Sequence, residues 1–160
     1  MTQHDALHSS DPHGDPLAVV RRYLDAWEKG DAAIFEDVLA PDFYDVMYGQ
    51  RRDRATLIAQ AQGHDFDDRS ISIDEAVVQG DTVVVRTTGR HRHAASGRRV
   101  TVTGMIWARV VDGKIATGWG EHDRLGQLQQ LGVVPSGAKA QRWVRERLLI
   151  ASESSETTST

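Results

Sequence analysis

The apolar positions of the chain recur first with a helical period and then, from Ser70 onward, with a period of two. Pro16 suits the first turn of a helix, and Leu17, Val20, Leu24 and Trp27 follow at helical spacing until Gly30 and Asp31 interrupt them. Ile34, Phe35, Val38 and Leu39 mark one face of a second helix, which Pro41 stops. Arg54 to Gln62 reads as a third, shorter helix. Alternation then runs through SISIDEAVVQGDTVVVRTTGRHRH, with a hairpin turn expected at Gly80-Asp81. Two further strands, Arg98 to Val111 and Lys114 to Asp123, meet at Asp112-Gly113, and RLGQLQQLG closes as a short helix at Gly132. Three helices followed by a meander of long strands predict one α+β domain over residues 16–135, with the helices packed into a curved antiparallel sheet around an apolar pocket. Ser136 to Ile150 carries Trp143, Val144, Leu148 and Ile150 and reads as an appended amphipathic helix, lying on a sheet face or on a partner subunit. Residues 1–15 and 151–160 are polar, rich in Ser, Thr, Asp and Glu, and read as disordered tails.

Composition narrows the functional classes. A chain of 160 residues with 39% hydrophobic residues has enough apolar material for one core and too little for two. The balance of 19 basic and 23 acidic side chains gives a net charge of −4, and the arginines fall in short groups (Arg51, Arg52 and Arg54; Arg90, Arg92, Arg98 and Arg99), which read as solvated loop and strand-end charge. No stripe for a nucleic-acid backbone results. The absence of cysteine excludes disulfides, thiolate metal sites and thiol nucleophiles. No apolar run has the length of a membrane span or a signal peptide, so a cytoplasmic protein without membrane contact is expected.

Candidate chemistry gathers on the last strand. Counting outward from Asp112-Gly113 sets Ile106 across from Trp119, Gly104 from Glu121 and Val102 from Asp123. In that register Trp119, Glu121 and Asp123 share a face with Ile106, so two carboxylates close an apolar wall, and Gly104 leaves room for a ligand. A carboxyl group held against apolar walls is expected to ionise reluctantly and can then both give and take a proton. Asp123 also directly precedes a helix, where Asp is a preferred N-cap, and the two readings stay open together. His91 and His93 alternate onto one face, and His91 is a candidate hydrogen-bonding residue of the pocket. Two histidines without a third ligand predict no metal site. Tyr44 and Tyr48 are placed on a loop across the pocket mouth, with Ile106 and Trp107 among the residues expected to contact substrate. Glu75 is expected opposite Arg86 as a cross-strand ion pair.

The run DGKIATGWGEHDRLGQLQQLG, preceded by VTVTGMIWARV and, far upstream, by YLDAWEKGD and LAPDF, resembles the SnoaL-like polyketide cyclases of the nuclear-transport-factor-2-like superfamily. The likeness covers Pro16 to Val134, and its specific part is Trp119, three intervening residues, then Asp123. It implies a conical α+β barrel, commonly dimeric, with its pocket in the mouth of the cone and no cofactor. Asp123 would match the acid/base of an intramolecular aldol ring closure, and His91 the histidine that orients a substrate carbonyl. Two differences from the family pattern are visible: a tight turn through Ala94, Ala95, Ser96 and Gly97 in place of a longer loop, and Val46 where a polar side chain is common.

The function expected from the sequence is thus cofactor-independent cyclisation of a small hydrophobic, polyketide-like substrate by a homodimer. An epoxide hydrolase or epoxide-opening cyclase is the alternative enzyme, with Arg86 as the matching arginine and Thr88 where a second aspartate would stand. A non-catalytic small-molecule-binding domain is the alternative of another class.

Overall fold

The computed structural model describes residues 15–156, with side chains described as far as Arg147. Most of the expected N-terminal tail and residues 157–160 lie outside the described residues, as do the side chains of Leu148 and Ile150. Helix α1 (Pro16–Lys29) starts where Asp15 accepts a hydrogen bond from the Leu17 amide at 3.0 Å and ends at Gly30, whose φ of 65° is left-handed. Asp31 caps α2 (Ala32–Val38) through the Ala33 and Ile34 amides, and Asp53 caps α3 (Arg54–Ala61) through Thr56. These helices lie where the apolar period places them.

A hairpin that the period does not announce stands between α2 and α3. Strand β1 (Leu39–Met47) turns at Tyr48 and Gly49, with φ of 54° and 73°, into β2 (Gln50–Asp53). The long strands follow as β3 (Phe66–Gln79), β4 (Thr82–His93), β5 (Arg99–Val111) and β6 (Lys114–His122), then α4 (Arg124–Gln130) and α5 (Gly137–Glu156). All six strands form one open sheet in the order β2-β1-β6-β5-β4-β3. The sheet is mixed rather than wholly antiparallel, because β1 runs parallel to β6. Helix α5 continues past Ile150 to Glu156, beyond the point where its apolar period ends.

The core lies between the three N-terminal helices and the inner face of the sheet. Val20, Leu24, Phe35, Leu39 and Leu57 meet Val83, Val85, Ala108, Val110 and Ile115 there. Tyr23, Trp27 and Phe35 add edge-to-face ring contacts at 5.7–6.5 Å between centroids. Inward and outward residues alternate along β5, so Val102, Ile106, Ala108 and Val110 are covered while Met105, Trp107 and Val111 are exposed.

Register is the feature that decides the site. Val111 pairs with Lys114 and Val110 with Ile115 as the turn predicts, but Arg109 then pairs with Thr117, so Ala116 is one extra residue in β6. Beyond this bulge every side chain of β6 changes face. Trp107, not Ile106, lies opposite Trp119, and Met105, not Gly104, lies opposite Glu121. Gly118, Gly120 and His122 now share the inner face with Ala108, Ile106 and Gly104, their pairing partners.

Candidate active site

The inner face opens into a cavity of about 320 Å³, walled by Tyr23, Leu24 and Trp27 of α1, Ile71 of β3, and Val102 and Ile106 of β5. This volume is at the small end for an organic-ligand pocket. Polar groups interrupt the apolar wall: Thr87 and His91 from β4, His122 from the end of β6, Arg52 from β2 and Gln127 from α4, with Gln60 of α3 and Arg69 and Ser70 of β3 also in the lining. Tyr48 and Arg124, both exposed, stand at its mouth.

His122 owes its place to two glycines as well as to the bulge. A methyl group on Gly104 would overlap the His122 ring and come within 2.6 Å of the Glu121 carbonyl oxygen; one on Gly120 would strike the end of Met47 and reach within 3.7 Å of His122 Cε1. The imidazole therefore occupies space that side chains at Gly104 of β5 and Gly120 of β6 would fill. Burial lowers the pKa of His122 below the ordinary histidine value, and the nearby Arg52 cation lowers it further, against a smaller opposing pull from Glu121. At neutral pH this ring is uncharged and can accept a proton.

His91 is the second histidine of the cavity. Its ring meets Phe66 edge-on at 4.4 Å between centroids, and its Nε2 is 3.3 Å from the amide nitrogen of Gln127. With that amide donating, His91 carries its proton on Nδ1. Burial, followed by the charge of Arg69, holds its pKa low.

The deep end is polar and rigid. Asp45 and Arg52 face each other across the β1–β2 hairpin, 3% and 9% exposed. Arg52 donates through Nε to Asp45 Oδ1 at 2.9 Å, through Nη2 to Asp45 Oδ2, and through Nη1 to Gln60 Oε1 at 2.6 Å. Of the five guanidinium N–H donors, three are thus engaged, which leaves one on each terminal nitrogen. Tyr23 lies beside this pair, and burial together with the Asp45 charge pushes its pKa up to about 12. Arg69 spends its donors on the carbonyl oxygens of Trp27, Ala61, Gly63 and Phe66, and so ties the α1 and α3 ends to β3.

Three of the site residues expected from the sequence meet here: His91, Tyr48 and Ile106 line the cavity. The bulge sends others to the opposite face. Trp119 is 52% exposed and donates from Nε1 to Glu121 at 3.2 Å, and Trp107, turned outward by its own alternation with Ile106 along β5, stands beside it on the outer surface. Asp123 is exposed, absent from the cavity wall, and accepts the Gly126 amide at 2.8 Å as the N-cap of α4. Of its two readings the cap is the one the geometry carries. Tyr44 lies outside the cavity under the Arg51 guanidinium, 3.8 Å from ring centroid to Cζ. Arg86, the arginine of the epoxide-opening alternative, points outward and pairs with Asp74 at 3.3 Å and Glu75 at 3.7 Å.

The sequence reading missed His122, Asp45, Arg52 and Gln127. A signal for His122 was present: Gly118 and Gly120 alternate toward it, and glycines on one face of a strand mark a close approach. Asp45 and Arg52 were within reach of a hairpin centred on Tyr48-Gly49. Gln127 carries no pattern of its own. Among the described residues no helix is long and apolar enough to cross a membrane.

An apolar pocket with a few convergent polar groups, enclosed by the sheet and helices of a small α+β domain, has the form in which small-molecule sites are commonly built on widely reused scaffolds. Residues 17–131 match the SnoaL-like polyketide cyclase model, and the chain belongs to that family. Among solved structures it is similar to IdmH, a proposed polyketide cyclase from Streptomyces antibioticus, with 25% identity, a TM-score of 0.67, and coverage of 74% of this chain and 99% of that one. TsrD from Streptomyces laurentii is 28% identical with a TM-score of 0.67, over 74% of this chain and 95% of that one. An LEH-like epoxide hydrolase of M. tuberculosis shares the fold at 17% identity and a TM-score of 0.62, over 72% and 88%. No curated protein matches the sequence.

Proposed function

We propose that the protein closes a ring in a polyketide-type intermediate without a cofactor, and that His122, not Asp123, is the base that starts the reaction. The observation that carries this reading is the place of the His122 imidazole in the cavity wall with Arg52, where burial holds its pKa below the ordinary histidine value. His122 takes a proton from a methylene flanked by carbonyl groups, where the conjugate base is an enolate. The two N–H donors of Arg52 not spent on Asp45 or Gln60 supply positive charge for the enolate oxygen against the apolar wall. The enolate carbon attacks a second carbonyl of the same molecule, one carbon–carbon bond forms, and the new alkoxide recovers the proton from the imidazolium. Nothing is oxidised or reduced. Asp45 and Gln60 hold Arg52 in place, and Gln127 holds the His91 ring toward the substrate.

The test is exchange of the α-protons of 2-tetralone, a bicyclic ketone with an acidic methylene, for solvent deuterium, followed by proton NMR. Wild-type protein and Asp123→Asn should accelerate exchange, and His122→Gln should not. Exchange lost in Asp123→Asn and kept in His122→Gln would overturn the assignment. A domain that only binds ligands would retain 2-tetralone without exchange.

The same reading includes a homodimer. Val77, Val84, Trp107, Trp119 and Val46 fall in one row across five strands on the outer sheet face, with Met105 beside them. Two exposed tryptophans in an apolar row suit a second copy of the sheet. Trp107→Lys should give a monomer by light scattering if this face is the interface.

A further inference from the structure

The charges around the cavity are of one sign. His91, His122, Arg52, Arg69, Arg90 and Arg124 contribute to its lining, and no aspartate or glutamate does. Asp45 is turned to Arg52, while Glu121 and Asp123, which flank His122 in the chain, are exposed outside the lining. Arg52 has its carboxylate partner, Arg69 is engaged with carbonyl oxygens, and Arg90 alternates with Arg86 along β4, its charge acting with that of Arg86 on Asp74. Arg124 differs from these three. Among the described residues no carboxylate pairs with it, and its guanidinium is held over the Tyr48 ring, 5.5 Å from the centroid. Tyr48 in turn stands 6.4 Å, ring to ring, from His122. Tyr48 occupies the left-handed first position of the β1–β2 turn, with a φ of 54°. The planar cation at the mouth is therefore preorganised by an aromatic face, with its in-plane donors uncommitted.

Resting on the pocket reading above, we infer that the ligand joins an apolar ring-sized body to one carboxylate, with the body between α1 and β5 and the carboxylate on Arg124 at the mouth. A carboxylate accepts two parallel N–H bonds from a guanidinium, a geometry unavailable to an ester or amide. The acid end would then fix which methylene of the body lies against His122. The substrate class is thus a free acid rather than a neutral ester.

The experiment compares 2-naphthoate with 2-naphthamide, which share one ring body and differ in charge. Each is titrated into full-length protein at neutral pH, with the His122 and His91 ring signals followed by NMR so that binding is located in the cavity. Naphthoate is expected to bind roughly tenfold more tightly, and the difference should shrink in high salt. Arg124→Gln should abolish the preference. Arg86→Gln, which removes the same charge from the outer face, should keep it. Equal affinity in wild type, or a preference that survives Arg124→Gln, would overturn the inference and leave the pocket reading standing. If neither probe moves the histidine signals, both fall.

Discussion

Replacing Gly104 by alanine adds one methyl group, and on general grounds that should help: a strand glycine costs roughly 0.5–1 kcal/mol relative to alanine. Here the new Cβ would overlap the His122 ring and lie 2.6 Å from the backbone oxygen of Glu121. The ring can rotate away, but the carbonyl belongs to the β5–β6 ladder and cannot. Overpacking of this kind costs about 1–3 kcal/mol, enough to outweigh the glycine gain. For a domain of this size the melting temperature should fall by roughly 3–10 °C. Gly89 supplies the control, because it also lines the cavity, yet a Cβ there would meet only the Val102 carbonyl oxygen, at 3.7 Å. Urea and thermal unfolding of both alanine variants should show Gly104→Ala destabilised and Gly89→Ala neutral or slightly stabilised. If Gly104→Ala were as stable as Gly89→Ala, His122 would not occupy the space at Gly104, and the register after Ala116 would be wrong.

Three further outcomes follow from the same geometry. Asp45→Ala strips the buried Arg52 of its carboxylate and should cost about 3–5 kcal/mol by denaturant unfolding, far more than loss of any exposed pair in the molecule. Asp123→Ala should cost about 1 kcal/mol and Asp123→Asn almost nothing, as expected of an N-cap; a large stabilisation by Asn would show an unpaired buried charge instead. Stability should also rise with pH across the histidine range: His91 and His122 have folded pKa values below the unfolded value of about 6.5, so the unfolded chain binds more protons there. That contribution is complete above about pH 6.5 and is lost as pH falls through the folded values. His122→Gln should flatten the slope, and an unchanged slope would contradict its burial.

Much of the fold is legible because helix and strand periods are written by local chemistry. The hairpin turns at Gly80-Asp81 and Asp112-Gly113 and the Glu75–Arg86 pairing follow from residues close in the chain. The β1–β2 hairpin is not, because Pro41 and Asp42 read as breakers and Tyr48 adopts a left-handed conformation usually left to Gly or Asn. Its parallel pairing with β6 depends on tertiary contacts, and no local pattern reports it. Arg52 reads as surface charge until its partner, Asp45, arrives from the other side of that turn. The candidate site was displaced by a single residue. Alternation assigns faces only while the ladder is regular, and the extra Ala116 has no side-chain signature that separates it from its neighbours. Reading through it puts Trp119, Glu121 and Asp123 inside; stopping at it puts His122 there.

The most direct test of this account is a pH titration of the His122 ring nitrogens by long-range proton–nitrogen NMR on the wild-type protein, assigned with His122→Gln. The midpoint should lie below the ordinary histidine value of about 6.5, with a neutral ring at physiological pH and shifts when 2-naphthoate binds. A midpoint at or above that value, unmoved by ligand, would place the ring in solvent or against a carboxylate and remove the base from the pocket.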